Sequence, residues 1–360
     1  MLQFKDPLKL RTKKIVFEDV YSAQDSGTLE QLKELSSKRV SVELINENNS
    51  ITDAIAREMS GGLTSQCEQD IQKLELYLPL LENLVQHVDL IGEDPRVIGW
   101  TSNLKIRFFQ IDNLRFELGT VLFFYGAQLR EWASQVLVTD LVRSATLFRK
   151  AAGVYQYLAH EVLPSLQGVR IPEGPPEATS SVSSVMNLIC LAEAQIVTIM
   201  KAEEKQTADG LLAKLHFGVV QLFNEAMDFY LTAAKECKDI SPVLMDYISC
   251  SKVVHELRSY KYMAQAVKTE GQIGTAMGLL KLALNKVERN IGGMESWRAI
   301  IKQEMDTMAD LLRKYEHENE FVWHEKIPYD HHLPVPQGTK IATCIPYRPE
   351  RWERTLALKI

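Results

Sequence analysis

Disulfide chemistry has little to work with in this chain. Its 360 residues hold five cysteines, an odd number with no CxxC pair. They are Cys67, Cys190, Cys237, Cys250 and Cys344, a set that predicts reduced thiols, buried as small apolar groups in a cytosolic protein. No uninterrupted apolar run approaches the roughly 18 residues of a bilayer span. No short apolar run follows the N-terminus, which excludes a secretory signal there. The chain opens Met1-Leu2 and closes ALKI, an opening and a close that predict neither myristoylation nor prenylation. The HExxH, GxSxG and GK[ST] patterns of metalloproteases, hydrolases and phosphate loops are all missing. Net positive charge is missing as well: the formal charge is −6, so the chain as a whole is no nucleic-acid binder.

One local stretch departs from that balance. Residues 1–14 carry Lys5, Lys9, Arg11, Lys13 and Lys14 against Asp6 alone. Either these are solvated lysines flanking a strand, or Lys9, Arg11, Lys13 and Lys14 touch anionic lipid headgroups. Each charge would then contribute ~1 kcal/mol close to the surface.

What is present is ordinary globular composition, 46% hydrophobic and 24% charged, arranged with helical periodicity. KIVFED (14–19) alternates briefly and predicts a short strand. Thr28, with Gln31 three residues later, predicts a capping box and a helix start. Apolar residues at Ile71, Leu74, Leu78, Leu81, Leu84 and Val88 predict a helix over about 66–91, kinked or restarted by Pro79. NLKIRFFQ (103–110) is a second strand candidate. Long helices are expected over 116–135, 142–166, across the stretch 191–226, from Ser241-Pro242 to about Thr269, over 273–289 and over about 295–322. Small residues at Ala264, Ala266, Gly271, Ala276 and Ala283 let antiparallel helices approach closely, as in tetratricopeptide-like hairpins. The tail beyond 326 holds five of the 13 prolines, Pro328, Pro334, Pro336, Pro346 and Pro349. It keeps Ile341, Ile345, Tyr347, Trp352 and Leu356, so it is expected to lie extended along the helices. These features predict an all-α chain of nine to eleven helices with a minor β element and no composition shift marking a boundary. They divide it into an N-terminal strand and basic segment (1–20), a helical core (28–326) and a packed tail (327–360).

Catalytic groups do not converge. Asp330, His331 and His332 could bind a metal, but adjacent histidines in a proline-rich tail are ordinarily solvated. GQIGTAMG (271–278) sits between helices rather than after a strand, which argues against a phosphate loop. His216 lies inside an amphipathic helix as a packed or rim histidine. No catalytic residue, cofactor or metal is expected.

The helix beginning near Leu211 is richer in leucine than one buried stripe needs. At about 100° per residue its apolar arc covers roughly half the circumference. One reading sandwiches it between two neighbours. The other splits the arc: Leu212, Val219, Phe223 and Met227 face the core, while Leu211, Leu215 and Leu222 line an exposed groove for an amphipathic partner helix. Spacing does not choose between them.

The stretch AEAQIVTIMKAEEKQTADGLLAKLHFGVVQLFNEA resembles the central helices of the Bro-one domain, the ESCRT-associated domain of ALIX-type and BROX-type endosomal adaptors. FELGTVLFFYGAQLRE, LFRKAAGVYQYL and ENEFVWHEKIP (318–328) resemble further family segments in the same order, and KDPLKLRTKKIVFED is similar to its N-terminal strand region. The resemblance covers nearly the whole chain. It implies a boomerang-shaped all-α domain with a small N-terminal β element and no catalysis. It also implies a concave apolar groove for the C-terminal amphipathic helix of a polymerising ESCRT-III subunit. Other ESCRT proteins are further expected partners, and nucleic acid is not one.

Carried over by position, Leu211 and Leu215 match apolar contact positions of that groove. Leu222 lies on the same arc, Lys201 follows one turn after Thr198, and Ile341 borders the groove from the tail. Thr198 stands where the family is usually aromatic or apolar, and losing such an anchor can cost a few kcal/mol. Affinity would then be lower, or the partner different. Trp323 replaces a tyrosine of some members. The expected setting is cytoplasmic, peripheral on endosomes and multivesicular bodies through the partner. The alternative function is a helical-repeat scaffold for another peptide, a different ESCRT component or a cargo.

Overall fold

A computed structural model describes residues 2, 4, 15–43, 66–91, 98–102, 107–111, 113–166, 175–237, 240–287, 292–350 and 354–359. In chain order its elements are α1 (Phe17–Val20), α2 (Ser26–Glu43), α3 (Gln66–Ile91), β1 (Ile98–Ser102) and β2 (Arg107–Ile111). There follow α4 (Leu114–Val136), α5 (Leu141–Tyr157), α6 (Ser180–Glu204), α7 (Asp209–Glu236), α8 (Pro242–Thr269), α9 (Ile273–Lys286) and α10 (Glu295–Glu318). From α4 onward, helices that follow one another pack side by side, the arrangement of stacked helical hairpins.

Local chemistry sets the helix starts. The side chains of Asn113, Asp140 and Thr179 accept first-turn N–H groups of α4, α5 and α6. Pro242 takes the first position of α8 after Ser241, where its missing N–H costs nothing.

Four expectations change. The capping residue of α2 is Asp25, whose Oδ1 accepts the Thr28 N–H at 2.7 Å. Thr28 sits inside the first turn, and its hydroxyl instead accepts the Ala357 N–H at 2.9 Å. Within the predicted strand 14–19, Phe17–Val20 is a helical turn. The Phe17 N–H donates to Ser36 Oγ at 2.8 Å, and the ring is buried, so α2 rather than a neighbouring strand satisfies it. Pro79 lies inside α3, which runs from Gln66 to Ile91 as one helix, so it does not restart it. Burial of Leu74, Leu78, Leu81 and Leu84 outweighs the one backbone bond that proline removes. The second strand candidate, whose residues 103–106 lie outside the described ones, forms β2 over Arg107–Ile111 and pairs with a strand that was not foreseen: β1 and β2 are antiparallel, with Ile98 opposite Ile111 and Ser102 opposite Arg107.

Two buried carboxylates tie alternate layers together. Glu117 on α4 takes Arg39 Nε of α2 at 2.6 Å and the Tyr77 hydroxyl of α3 at 3.1 Å. Glu193 on α6 accepts both Nε and Nη2 of Arg130 on α4, at 2.7 and 2.6 Å, and the Tyr247 hydroxyl of α8 at 2.8 Å. Phe4 stacks on Tyr247 at 5.2 Å and lies under Arg130. A buried charge needs this degree of pairing. Helix α6 is long and apolar enough to cross a bilayer, but 78% of its apolar window is buried inside the protein, as befits a central core helix.

The chain then doubles back as an extended strap. Thr339 donates its N–H to Lys214 O on α7 at 3.0 Å, and Ile345 to Arg149 O on α5 at 3.0 Å. Tyr347 reaches Glu82 on α3 at 3.1 Å and packs among Tyr125 and Tyr157. At the end, Gln24 N–H donates to Ala357 O and Lys359 N–H to Ser22 O, each at 2.8 Å, so the last described stretch of the tail pairs with the segment just before α2.

Candidate partner-helix surface

The candidate surface forms where α6, α7 and the strap converge on one side chain. Gln195 is buried in α6. Its Nε2 donates to Leu215 O of α7 at 2.7 Å and to Thr339 O of the strap at 3.0 Å. Its Oε1 accepts the Ile341 N–H at 2.9 Å. A single amide thus fixes three segments, using its donors and its acceptor at once. Thr198 lies one turn after Gln195 and Leu211 one turn before Leu215, so the same clamp holds Ile341 against the part of the fold that carries both.

Leu211 is 47% exposed and Ile341 44% exposed. Thr198 is exposed, its hydroxyl bonded back to Ala194 O at 2.9 Å. Lys201 is exposed and pairs with Glu204 at 2.8 Å. Leu211, Ile341, Thr198 and Lys201 are therefore open to a partner.

Leu215 and Leu222 are not. They are 5% and 3% exposed, which corrects their assignment to an open groove. The strap crosses their helix between them. A Cβ on Gly218 would lie 2.2 Å from Thr339 O, and one on Gly338 would lie 2.2 Å from Gln221 Oε1. Lys340 is anchored to Glu225 at 2.6 Å. The apolar arc of α7 is split, but the strap, a segment of the same chain, crosses its middle, and Leu211 stays exposed in the first turn. Gln195, Gly218 and Gly338 were not singled out from the sequence. Their signals were a lone amide in the apolar run AEAQIVTI and a glycine in mid-helix.

Directly behind this surface His216 is a core histidine. Its Nδ1 lies 2.9 Å from His255 Nδ1 of α8, Tyr262 stacks on it at 5.4 Å, and Glu203 Oε1 stands 3.6 Å from its Nε2. Burial lowers both histidine pKa values, so one neutral ring donates to the other. The His216 ring and the Tyr262 hydroxyl, at 2.7 Å, together hold the Glu203 carboxyl down at about 2.

Among the described residues no group of three or more His, Cys, Asp or Glu is placed to hold a metal ion. His331 and His332 occupy an exposed turn after Tyr329, their rings 4.0 Å apart. Lys9, Arg11, Lys13 and Lys14 lie outside the described residues.

Residues 32–357 match the family described as BRO1-like domain. The chain belongs to that family. The matched span contains every residue of the candidate surface and excludes the basic N-terminal segment. Programmed cell death 6-interacting protein of Xenopus laevis is 25% identical over 224 residues, 61% of this chain and 24% of the relative. The chain thus spans about a quarter of that relative's length. A solved structure described as "ALIX BRO1 CHMP4C complex" matches with a TM-score of 0.71 at 16% identity, covering 96% of both chains. Another, "Structure basis for endosomal targeting by the Bro1 domain", matches with a TM-score of 0.65 at 16% identity, over 96% of this chain and 91% of that one. At such identities these likenesses establish the predominantly helical BRO1 fold and nothing beyond it.

Proposed function

We propose that this BRO1-like domain is a non-enzymatic adaptor that docks the C-terminal amphipathic helix of a polymerising ESCRT-III subunit and acts in sorting at endosomes and multivesicular bodies. Leu211 and Ile341 supply the apolar contacts, Thr198 the floor and Lys201 a cationic rim. The carrying observation is that two large apolar side chains stand half-exposed on a rigid, Gln195-clamped surface. The fold is one whose solved relative is described as a complex with CHMP4C. Exposed apolar residues on rigid elements are what a helix-in-groove partner requires. Membrane association is peripheral and comes through the partner.

A fluorescent peptide from an ESCRT-III C-terminal helix, titrated against the full chain, tests this. Micromolar binding corresponds to about −8 kcal/mol. Leu211→Asp and Ile341→Asp should each weaken it while leaving the fold intact, because both side chains are half-exposed. Unchanged affinity in both variants would sink the assignment.

Thr198 favours a second reading, a peptide of different chemistry such as another ESCRT component or a cargo, because its hydroxyl is polar and already turned to its own helix. Failure of ESCRT-III helices to bind folded wild type, with binding restored by Thr198→Leu, would identify a weakened site. Failure in both, with another peptide bound, would favour the scaffold.

A further inference from the structure

The strap meets the helical core at two places of different chemistry. At Thr339–Ile341 its backbone bonds to the Gln195 amide and the Lys214 carbonyl, groups that keep their protonation state across neutral pH. Farther along, Arg149 of α5 donates its Nε to Thr343 O at 2.7 Å, and its carbonyl accepts the Ile345 N–H at 3.0 Å. The Tyr347 ring then packs on Tyr157 of α5 and Tyr125 of α4, with centroids 5.2 and 6.2 Å away. Its hydroxyl donates to Glu82 Oε1 of α3 at 3.1 Å.

Glu82 is buried, and its second oxygen, Oε2, has no hydrogen-bond partner. Among the described residues no cation pairs with it. The charged and titratable groups of the packed elements are spent elsewhere or face water. On α3, Glu75 takes the Tyr125 hydroxyl at 2.9 Å, and His87 Nδ1 lies 2.8 Å from Asn83 O. On the strap, Arg354 pairs with Glu34 of α2 at 3.1 Å, and Arg348 is exposed. A buried carboxyl without a cation favours its neutral form. Burial accordingly raises Glu82 from 4.5 to about 7, with the Tyr347 hydrogen bond pulling the other way. Ionised, Glu82 holds one hydrogen bond where water would supply several, so lifting Tyr347 relieves the charge. The seated strap thus keeps a proton that the lifted strap gives up.

We propose that Glu82 and Tyr347 form a proton-controlled latch: with Glu82 neutral the stretch Thr343–Tyr347 lies on α3 and α5, and with Glu82 ionised this stretch detaches while Thr339–Ile341 stays clamped by Gln195. The latch makes no use of a docked partner helix, so failure of either reading leaves the other standing.

The test is native-state hydrogen exchange of the full chain from about pH 5 to 8, corrected for the intrinsic pH dependence of amide exchange. With Glu82 titrating at 4.5 when hydrated and at about 7 when covered, the opening constant at the Ile345 amide should rise about 70-fold over that range. The Thr339 and Ile341 amides should keep their protection. Glu82→Gln should abolish the rise and leave Ile345 protected throughout. Tyr347→Phe should carry the rise to higher pH, because the ionised carboxyl then loses the one hydrogen bond that favours it. A ring that served packing alone would lower protection without moving the pH at which it falls. Level protection of Ile345 from pH 5 to 8 overturns the proposal, and so does a rise that survives Glu82→Gln. A loss shared equally by Thr339 and Ile341 overturns it as well, since that is unfolding rather than unlatching.

Discussion

Replacing Gly218 by alanine sets two forces against each other, and their magnitudes predict the winner. In the interior of a helix, alanine is favoured over glycine by about 1 kcal/mol. Judged on α7 alone, Gly218→Ala should therefore stabilise. The strap reverses the sign. The new Cβ would stand 2.2 Å from Thr339 O and 2.5 Å from Gln195 Nε2. Neither is the free end of a flexible side chain: one is backbone and the other is the clamp itself. The strap must lift, and with it go the Thr339 N–H bond to Lys214 O, the Gln195 bond to Thr339 O and the Ile341 N–H bond to Gln195. At about 1 kcal/mol each, roughly 3 kcal/mol is lost against 1 gained, for a net destabilisation of about 2 kcal/mol. Urea unfolding measures it, and hydrogen exchange at the Thr339 and Ile341 amides shows where it arises. Gly210→Ala, in the same helix, is the control: its Cβ would meet only Ala266 Cβ, at an ordinary 3.8 Å, so it should be neutral or stabilising. If Gly218→Ala matched Gly210→Ala in stability and kept both amides protected, the strap would not be packed on α7 as described. The same variant should weaken peptide binding, because Ile341 moves with the strap.

Three further outcomes follow from buried polar groups. Burial raises the Glu82 pKa from 4.5 to about 7; the folded state favours the neutral acid, so this stability is present below 4.5 and is lost as pH rises towards 7. Glu82→Gln should therefore gain up to about 3 kcal/mol on wild type near pH 8, with the gap closing in acid, as chemical denaturation at several pH values would show. His216 and His255 run the other way: their folded pKa values lie below the ordinary 6.5, so their stability is present above 6.5 and is lost as pH falls below it. In a Glu82→Gln background the unfolding free energy should drop below about pH 6.5, and His255→Leu should flatten the drop. Arg130→Met strands Glu193 and should cost about 3–5 kcal/mol, whereas Arg130→Met with Glu193→Leu should recover most of it, measured as a thermodynamic cycle by urea unfolding.

The helices were legible because their periodicity is local. Ser241-Pro242 marks a start that needs no tertiary information, and the tail prolines argue against a further long helix beyond 326. What failed were the places where distant residues decide. Asp25 rather than Thr28 caps α2, and the Thr28 hydroxyl is taken by Ala357, more than 300 positions away in the chain. KIVFED alternates like a strand, yet Ser36 claims the Phe17 N–H. Pro79 could end a helix in isolation, yet here it sits inside one that is buried on its leucines.

The candidate surface failed in the same way. A helical wheel reports which side chains share a face; it carries no information about a strap that returns from more than 100 residues later. Leu215 and Leu222 belong on the apolar arc, yet a segment of the same chain buries the middle of that arc. The residue that betrays the strap is Gly218. A mid-helix glycine costs about 1 kcal/mol in an isolated helix, so its presence in an otherwise strong helix former needs a compensating close approach. Gly153 in α5 makes the same case, for a Cβ there would meet Ile345 O at 1.8 Å. Two interior glycines on separate helices, each under one stretch of extended tail, define the strap's path across the core. They also limit a partner helix to the surface the strap leaves open, with Leu211 on one side and Ile341 on the strap itself.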